Sequence, residues 1–170
     1  MAILPLLPYG SPLLRRRSLP VSTLDGTLQQ VIDDMIATMY AAPGVGLAAP
    51  QVGHLLRVIV VNPSESQDPT QLLTLLNPEI IEADGEMRAE EGCLSLPQIR
   101  DEVTRSRRAL LRATDRTGKP LEIEGTGLLA RIFQHEVDHL NGIFFIDHLS
   151  TAKKDVLRRK LKKTASQPSP

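Results

Sequence analysis

The stretch FQHEVDHLNG (Phe133–Gly142) limits the folds open to this chain more than any other. His135 and His139 stand four apart, so on an α-helix they differ in azimuth by about 40° and share a face. Glu136, next to His135, can reach a water on a metal held by the histidines without binding the metal itself. Leu128, Leu129, Ile132, Val137 and Leu140 recur at helical spacing before and through the motif, which predicts a helix with a buried stripe. Thr126-Gly127 can open that helix and Gly142 can cap its end. A bare His-Glu-x-x-His also occurs by chance on ordinary helices, but the stripe and the cap favour a metal site here.

A catalytic metal of this type takes three protein ligands and leaves a position for water, so a third ligand must be found. The extended motif HExxHxxGxxH fails, because Gly142 matches its glycine but Phe145 stands where the last histidine belongs. A thermolysin-like arrangement needs a downstream glutamate, and none follows Glu136. Asp147 and His148 would each have to fold back from beyond the helix end. The better candidate lies upstream, in EEGCLSLP (Glu90–Pro97), where Cys93 can supply a thiolate. A His₂Cys set accepts zinc or ferrous iron and keeps a position open. A lone cysteine is more often a small core residue. Between Gly92 and Leu94, in a chain already holding a two-histidine site, it reads as a ligand.

Around these segments the chain reads as one domain of α+β class. Leu28, Val31, Ile32, Met35, Ile36 and Met39 mark a helix over about residues 25–41, with Asp25 at its start and Pro43-Gly44 past its end. GVGLAAPQVG (Gly44–Gly53) reads as a glycine-rich loop. LRVIVV (Leu56–Val61) is a buried strand, and LLTLLNP a second strand stopped by Asn77-Pro78. RALLRATDRTGKPLEIE forms a hairpin turning around Asp115–Lys119. A shorter helix covers about 150–163. Antiparallel or mixed sheets would then pack around a central His-Glu-x-x-His helix, with an N-terminal and a C-terminal helix beside them.

Bulk properties exclude several classes. No apolar run approaches the roughly 20 residues of a membrane-spanning helix. The single cysteine allows no internal disulfide, which fits a reducing compartment. Residues 1–150 carry 13 basic against 19 acidic side chains, a balance of −6, while residues 151–170 carry 7 basic and one acidic, +6. That segment reads either as a solvated helix ending in a disordered tail, TASQPSP, or as a contact for an acidic partner such as RNA. Residues 1–24 hold Arg15, Arg16 and Arg17 and no acid, as transit peptides do. The start MAILPLLPYG lacks the early positive charge and long apolar run of a secretory signal.

Three stretches, GVGLAAPQ (44–51), EEGCLS (90–95) and QHEVDHLNG (134–142), in this order and spacing, resemble the peptide deformylases. The resemblance runs from about Tyr9 to Leu149. It places YGSPLLRRRS at the start of the family domain, leaving at most eight extra residues, too few for a transit peptide. It implies removal of the formyl group from the formylmethionine of newly synthesised polypeptides, with release of formate, by a monomeric bacterial-type cytoplasmic enzyme without membrane attachment. Cys93, His135 and His139 would bind one Fe²⁺, replaceable by Zn²⁺ or Ni²⁺, and a metal-bound hydroxide would attack the formyl carbon. Glu136 would move the proton, and Gln51 with the N–H of Leu94 would stabilise the oxyanion.

By the same resemblance, Val45 and Gly46 would pair with the peptide backbone, and Leu128 and Ile132 would form a methionine pocket. Glu91 and Arg100 would line the cleft, unless they form a surface ion pair. Arg131 shares the face of His135 where some relatives carry an aliphatic residue, and ARIFQHE resembles the plant-organelle and cyanobacterial-like branch. Its stem is expected along the methionine side chain, with its charge in solvent. The basic segment 151–170, set apart from a catalytic domain over 1–150, would dock on the ribosome. A different zinc amidase on the same helix and an inactive binding protein are the competing classes. The first requires that Cys93 not be a ligand, and the intact Gln51, Cys93, His135, Glu136 and His139 speak against the second.

Overall fold

In the computed structural model, which describes residues 1–165, three helices and seven strands form an α+β domain. Helix α1 spans Gly26–Ala41 and starts where the Asp25 carboxylate accepts the Leu28 N–H. Strands β1 (Gly46–Ala48), β2 (Val58–Val61), β3 (Leu73–Asp84), β6 (Arg108–Thr114) and β7 (Pro120–Thr126) form an antiparallel sheet in the order β1-β2-β3-β6-β7. Strands β4 (Met87–Cys93) and β5 (Leu96–Arg105) form a separate antiparallel hairpin. Helix α2 spans Leu128–Leu140 and α3 spans Thr151–Ala165.

Strand β2 shows why the large sheet is covered on both faces. All four of its residues are buried, and alternate side chains point to opposite sides. Val58 and Val60 join Leu28, Ile32, Met35 and Met39 under α1. Ile59 and Val61 join Leu75, Leu111, Ile132 and Phe133 under α2. A third cluster sets Leu96 and Val103 of the hairpin against Leu14, Phe144, Phe145 and Leu157, so α3 is packed onto the domain through Leu157.

Three local expectations need correction. The glycine-rich loop contains ordered structure: Gly46–Ala48 pairs with β2, and Ala49–Val52 forms a 3-10 turn. Leu47, Ala48 and Ala49 are fully buried, which is what commits this stretch to the sheet. Asn77-Pro78 does not stop β3. Asn77 takes a left-handed conformation (φ 51°) at a register shift, and its amide bonds both backbone groups of Val21. The strand thus bends at a bulge and continues, with Pro78 at a point where no ladder N–H is required. The last helix also runs further than expected and takes in Thr164 and Ala165; the remainder of the expected tail lies outside the described residues. No helix among the described residues is long and apolar enough to cross a membrane.

Candidate metal centre

Helix α2 carries His135, Glu136 and His139, all buried. Its end is closed by Gly142 (φ 75°), whose N–H bonds the His139 carbonyl. A Cβ at Gly142 would lie 2.4 Å from the Arg15 carbonyl oxygen, so glycine is needed there on two counts. Cys93 arrives from the opposite side, at the end of β4 where the hairpin turns through Leu94 and Ser95.

Cys93 Sγ lies 3.3 Å from His139 Nε2, which lies 3.2 Å from His135 Nε2. One ligand atom from each residue fits within 4.8 Å of the others. Tetrahedral coordination at ordinary zinc bond lengths separates such donors by roughly 3.3–3.6 Å. Glu136 Oε2 is buried with no hydrogen-bond partner, and Oε1 is 4.0 Å from His135 Nε2. The carboxylate therefore stands beside the three donors and is not one of them. Both the donor chemistry and the unpartnered oxygen fit a divalent metal with its water.

Charge balance points the same way. Contacts with Cys93 and Glu91 raise the pKa of His135 despite its burial. His139 is held neutral, well below its ordinary range, by burial and by the charge on His135. Burial pushes the Glu136 carboxyl up to about 7. The acidic groups around His135 favour a positive charge among these donors, and a bound cation would supply one.

A cleft of about 440 Å³ opens over this cluster. Of the residues expected in the site, Val45, Gly46, Gln51, Glu91, Cys93, Leu94, Arg100, Leu128, Arg131, Ile132, His135 and Glu136 all line it. His139 lies in the same metal-donor group. Gln51 is buried, its Oε1 accepting the Ala48 N–H at 3.0 Å and its Nε2 directed to Ser95 Oγ at 3.2 Å and Cys93 Sγ at 3.6 Å. Leu94 packs over Gly44.

One expectation changes here and one alternative falls away. Arg131 does not send its charge to solvent. It is 5% exposed, its guanidinium ion-paired with Glu91 and bonded to the carbonyls of Met87 and Val103. Burial of the whole side chain was not readable from a position on a helix face. Nor do Glu91 and Arg100 pair with each other: Arg100 binds exposed Glu90, while Glu91 is buried and meets His135 Nδ1 at 2.9 Å. Arg105 binds both oxygens of Glu91 at 2.9 Å and also Asp138. Burial alone would raise the Glu91 pKa, but hydrogen bonds from His135 and Arg105 bring it down to about 2. Arg105 and Asp138 went unnoticed in the sequence because no local pattern marks them. Asp147 and His148 are engaged elsewhere, with Arg15 and Asp138, and take no place among the donors.

The polypeptide deformylase family model matches residues 3–155. The chain belongs to the polypeptide deformylase family. A peptide deformylase of Thermodesulfovibrio yellowstonii is 49% identical over 162 residues, covering 95% of this chain and 98% of the relative. One from Chromobacterium violaceum is 49% identical over 167 residues, covering 98% and 99%. The crystal structure of a peptide deformylase from Legionella pneumophila superposes with a TM-score of 0.90 at 46% identity, covering 98% of this chain and all of that one. Peptide deformylases are metal-dependent hydrolases that remove N-formyl groups from nascent peptides.

Proposed function

We propose that this chain hydrolyses the formyl group from the N-terminal formylmethionine of newly synthesised polypeptides and releases formate. The observation that carries the reading is the convergence of Cys93, His135 and His139 beside an unpartnered Glu136 oxygen. Cys93, His135 and His139 would hold one divalent ion, Fe²⁺ by family resemblance, with Zn²⁺ or Ni²⁺ able to replace it. When bound, such an ion lowers the pKa of its water to about 7, which supplies the strong nucleophile that a poorly electrophilic formamide needs.

Glu136 would take the proton of that water and return it to the departing amine. The Gln51 amide and the Leu94 N–H would receive the oxyanion, where losing one such donor raises the barrier by about 2.7–4 kcal/mol. Val45 and Gly46 border the cleft at the start of β1, where a substrate backbone could lie in an extended form. Leu128 and Ile132 would receive the methionine side chain, and Arg100 with its neighbours would form the rim.

The remaining assignments belong to the same reading: a monomer of the bacterial cytoplasm, with a catalytic part over residues 1–150 and a basic segment 151–170 that docks on the ribosome. Arg158, Arg159 and Lys162 are exposed on α3 while Leu157 faces the core, a distribution that supports the docking role. Replacing those three with glutamate should weaken ribosome co-sedimentation in a salt-sensitive way. The deciding assay is formate release from a short formyl-Met peptide by protein reconstituted with Fe²⁺ without oxygen, with acetyl-Met peptide as control. Formate from the first alone is the expected result. One metal per chain with no formate would mean that the substrate is another small amide.

A further inference from the structure

The metal donors are divided between two bodies that no β-ladder joins. His135 and His139 belong to α2, whereas Cys93 ends β4 in a hairpin separate from the five-stranded sheet. The distance from Cys93 Sγ to the histidine nitrogens therefore depends on how the hairpin is seated against α2. Along one face of α2, at positions i, i+3, i+4 and i+7, stand Arg131, Gln134, His135 and Asp138, and each reaches the hairpin or the residue just after it. Gln134 bonds both backbone groups of Ser106, Asp138 takes Arg105, and His135 meets Glu91.

Arg131 makes the tie that involves both strands and the carboxylate together. One guanidinium nitrogen donates to the carbonyl of Met87 on β4 (3.1 Å) and to that of Val103 on β5 (3.0 Å). Another binds Glu91 Oε2. With Arg105 on both oxygens and His135 on Oε1, the Glu91 carboxylate is held at each oxygen by two partners and cannot turn away from the imidazole. A planar fork of donors can serve two carbonyls and a carboxylate at once, which a lysine ammonium on a flexible stem cannot do with the same directionality.

We propose that Arg131 is a positioning residue for the metal centre, fixing the β4–β5 hairpin, and with it Cys93 and Glu91, against the histidine face of α2. This rests on the reading of Cys93, His135 and His139 as metal ligands. Partners that orient ligating side chains typically contribute 10–100-fold in metal affinity when removed.

The test uses the full chain loaded with Zn²⁺ and measures zinc affinity by chelator competition in Arg131→Met, Arg131→Lys and Gln134→Ala. Both Arg131 variants should bind zinc about 10–100-fold more weakly. Their KM for a formyl-Met peptide, measured with metal in saturating excess, should change less than about twofold, a bound set by that positioning role. Gln134→Ala loosens the same face without touching Glu91 and should keep zinc affinity near that of the parent. Should Arg131→Met fail to fold, Arg131→Lys retains the stem and the cation and carries the comparison alone. Parental zinc affinity in the Arg131 variants would overturn the proposal, as would a raised KM with zinc affinity intact, or an equal loss in Gln134→Ala. If the parent chain itself bound no zinc, or Cys93→Ser bound it equally, the ligand assignment would fall, and this inference with it.

Discussion

Glu91 Oε1 and His135 Nδ1 meet at 2.9 Å across the interface between the small hairpin and helix α2. The same carboxylate compensates two buried guanidinium groups, Arg105 and Arg131. Removing it leaves both cations without their shared partner. Glu91→Ala should therefore destabilise the metal-free protein by about 3–5 kcal/mol, read from urea unfolding, and Glu91→Gln by less. The Glu91 pKa is depressed in the fold to about 2, so its ionic contribution is present above about 4.5 and is lost as pH falls through 2. Between those values the parent should lose stability more steeply on acidification than Glu91→Gln.

Gly46 leaves the space that Glu136 occupies. A Cβ there would lie 2.8 Å from Glu136 Oε1, 2.9 Å from its Cγ and 3.0 Å from Ile132 Cγ2. Gly46→Ala should push the carboxylate out of position and lower kcat by about 100-fold, within the contribution expected of a positioned general base. Far-ultraviolet circular dichroism and zinc content should stay near those of the parent. Unchanged formate release would show that Glu136 has room to shift without consequence.

Gln51 is fixed at both ends of its amide, by the Ala48 N–H and by Ser95 Oγ. A donor held in place before reaction is worth most in the transition state. Gln51→Ala should cost about 10²–10³ in kcat with KM little changed. Steady-state formate release separates the two; a loss confined to KM would assign Gln51 to ground-state binding.

Glu136 predicts an inverted pH effect in the metal-free protein. Its folded-state pKa is raised by burial from 4.5 to about 7. Stability linked to it is complete below pH 4.5 and is lost as pH rises through 7. Well above that value, Glu136→Gln should be more stable than the parent by about 3 kcal/mol at most, and the advantage should vanish below pH 4.5. Chemical denaturation across pH would show it, and an advantage constant in pH would refute the titration.

Helix α1 was legible because its apolar residues recur at helical spacing behind an Asp25 cap, and the β6–β7 hairpin because its turn chemistry lies within five residues. The segment Gly44–Gly53 was misread because glycine content reports backbone freedom, whereas pairing with β2 depends on what lies opposite. The hairpin β4–β5 left no clear local trace. Several of its residues are charged and face solvent, and its pairing is stabilised by contacts with α2 and the segment around Phe144.

By itself, the sequence singled out the candidate metal donors, because His135 and His139 sit at a fixed helical offset and Cys93 is the chain's one thiol. Family membership follows from the same short segments. Only the tertiary structure decided what Arg131, Glu91, Arg105 and Asp138 do. Their partners lie between 10 and 44 residues away in the chain, so neither periodicity nor turn chemistry carries the information. A buried charge takes its role from whatever counter-charge and carbonyls the fold brings within hydrogen-bond distance, and that is settled when the hairpin packs onto α2.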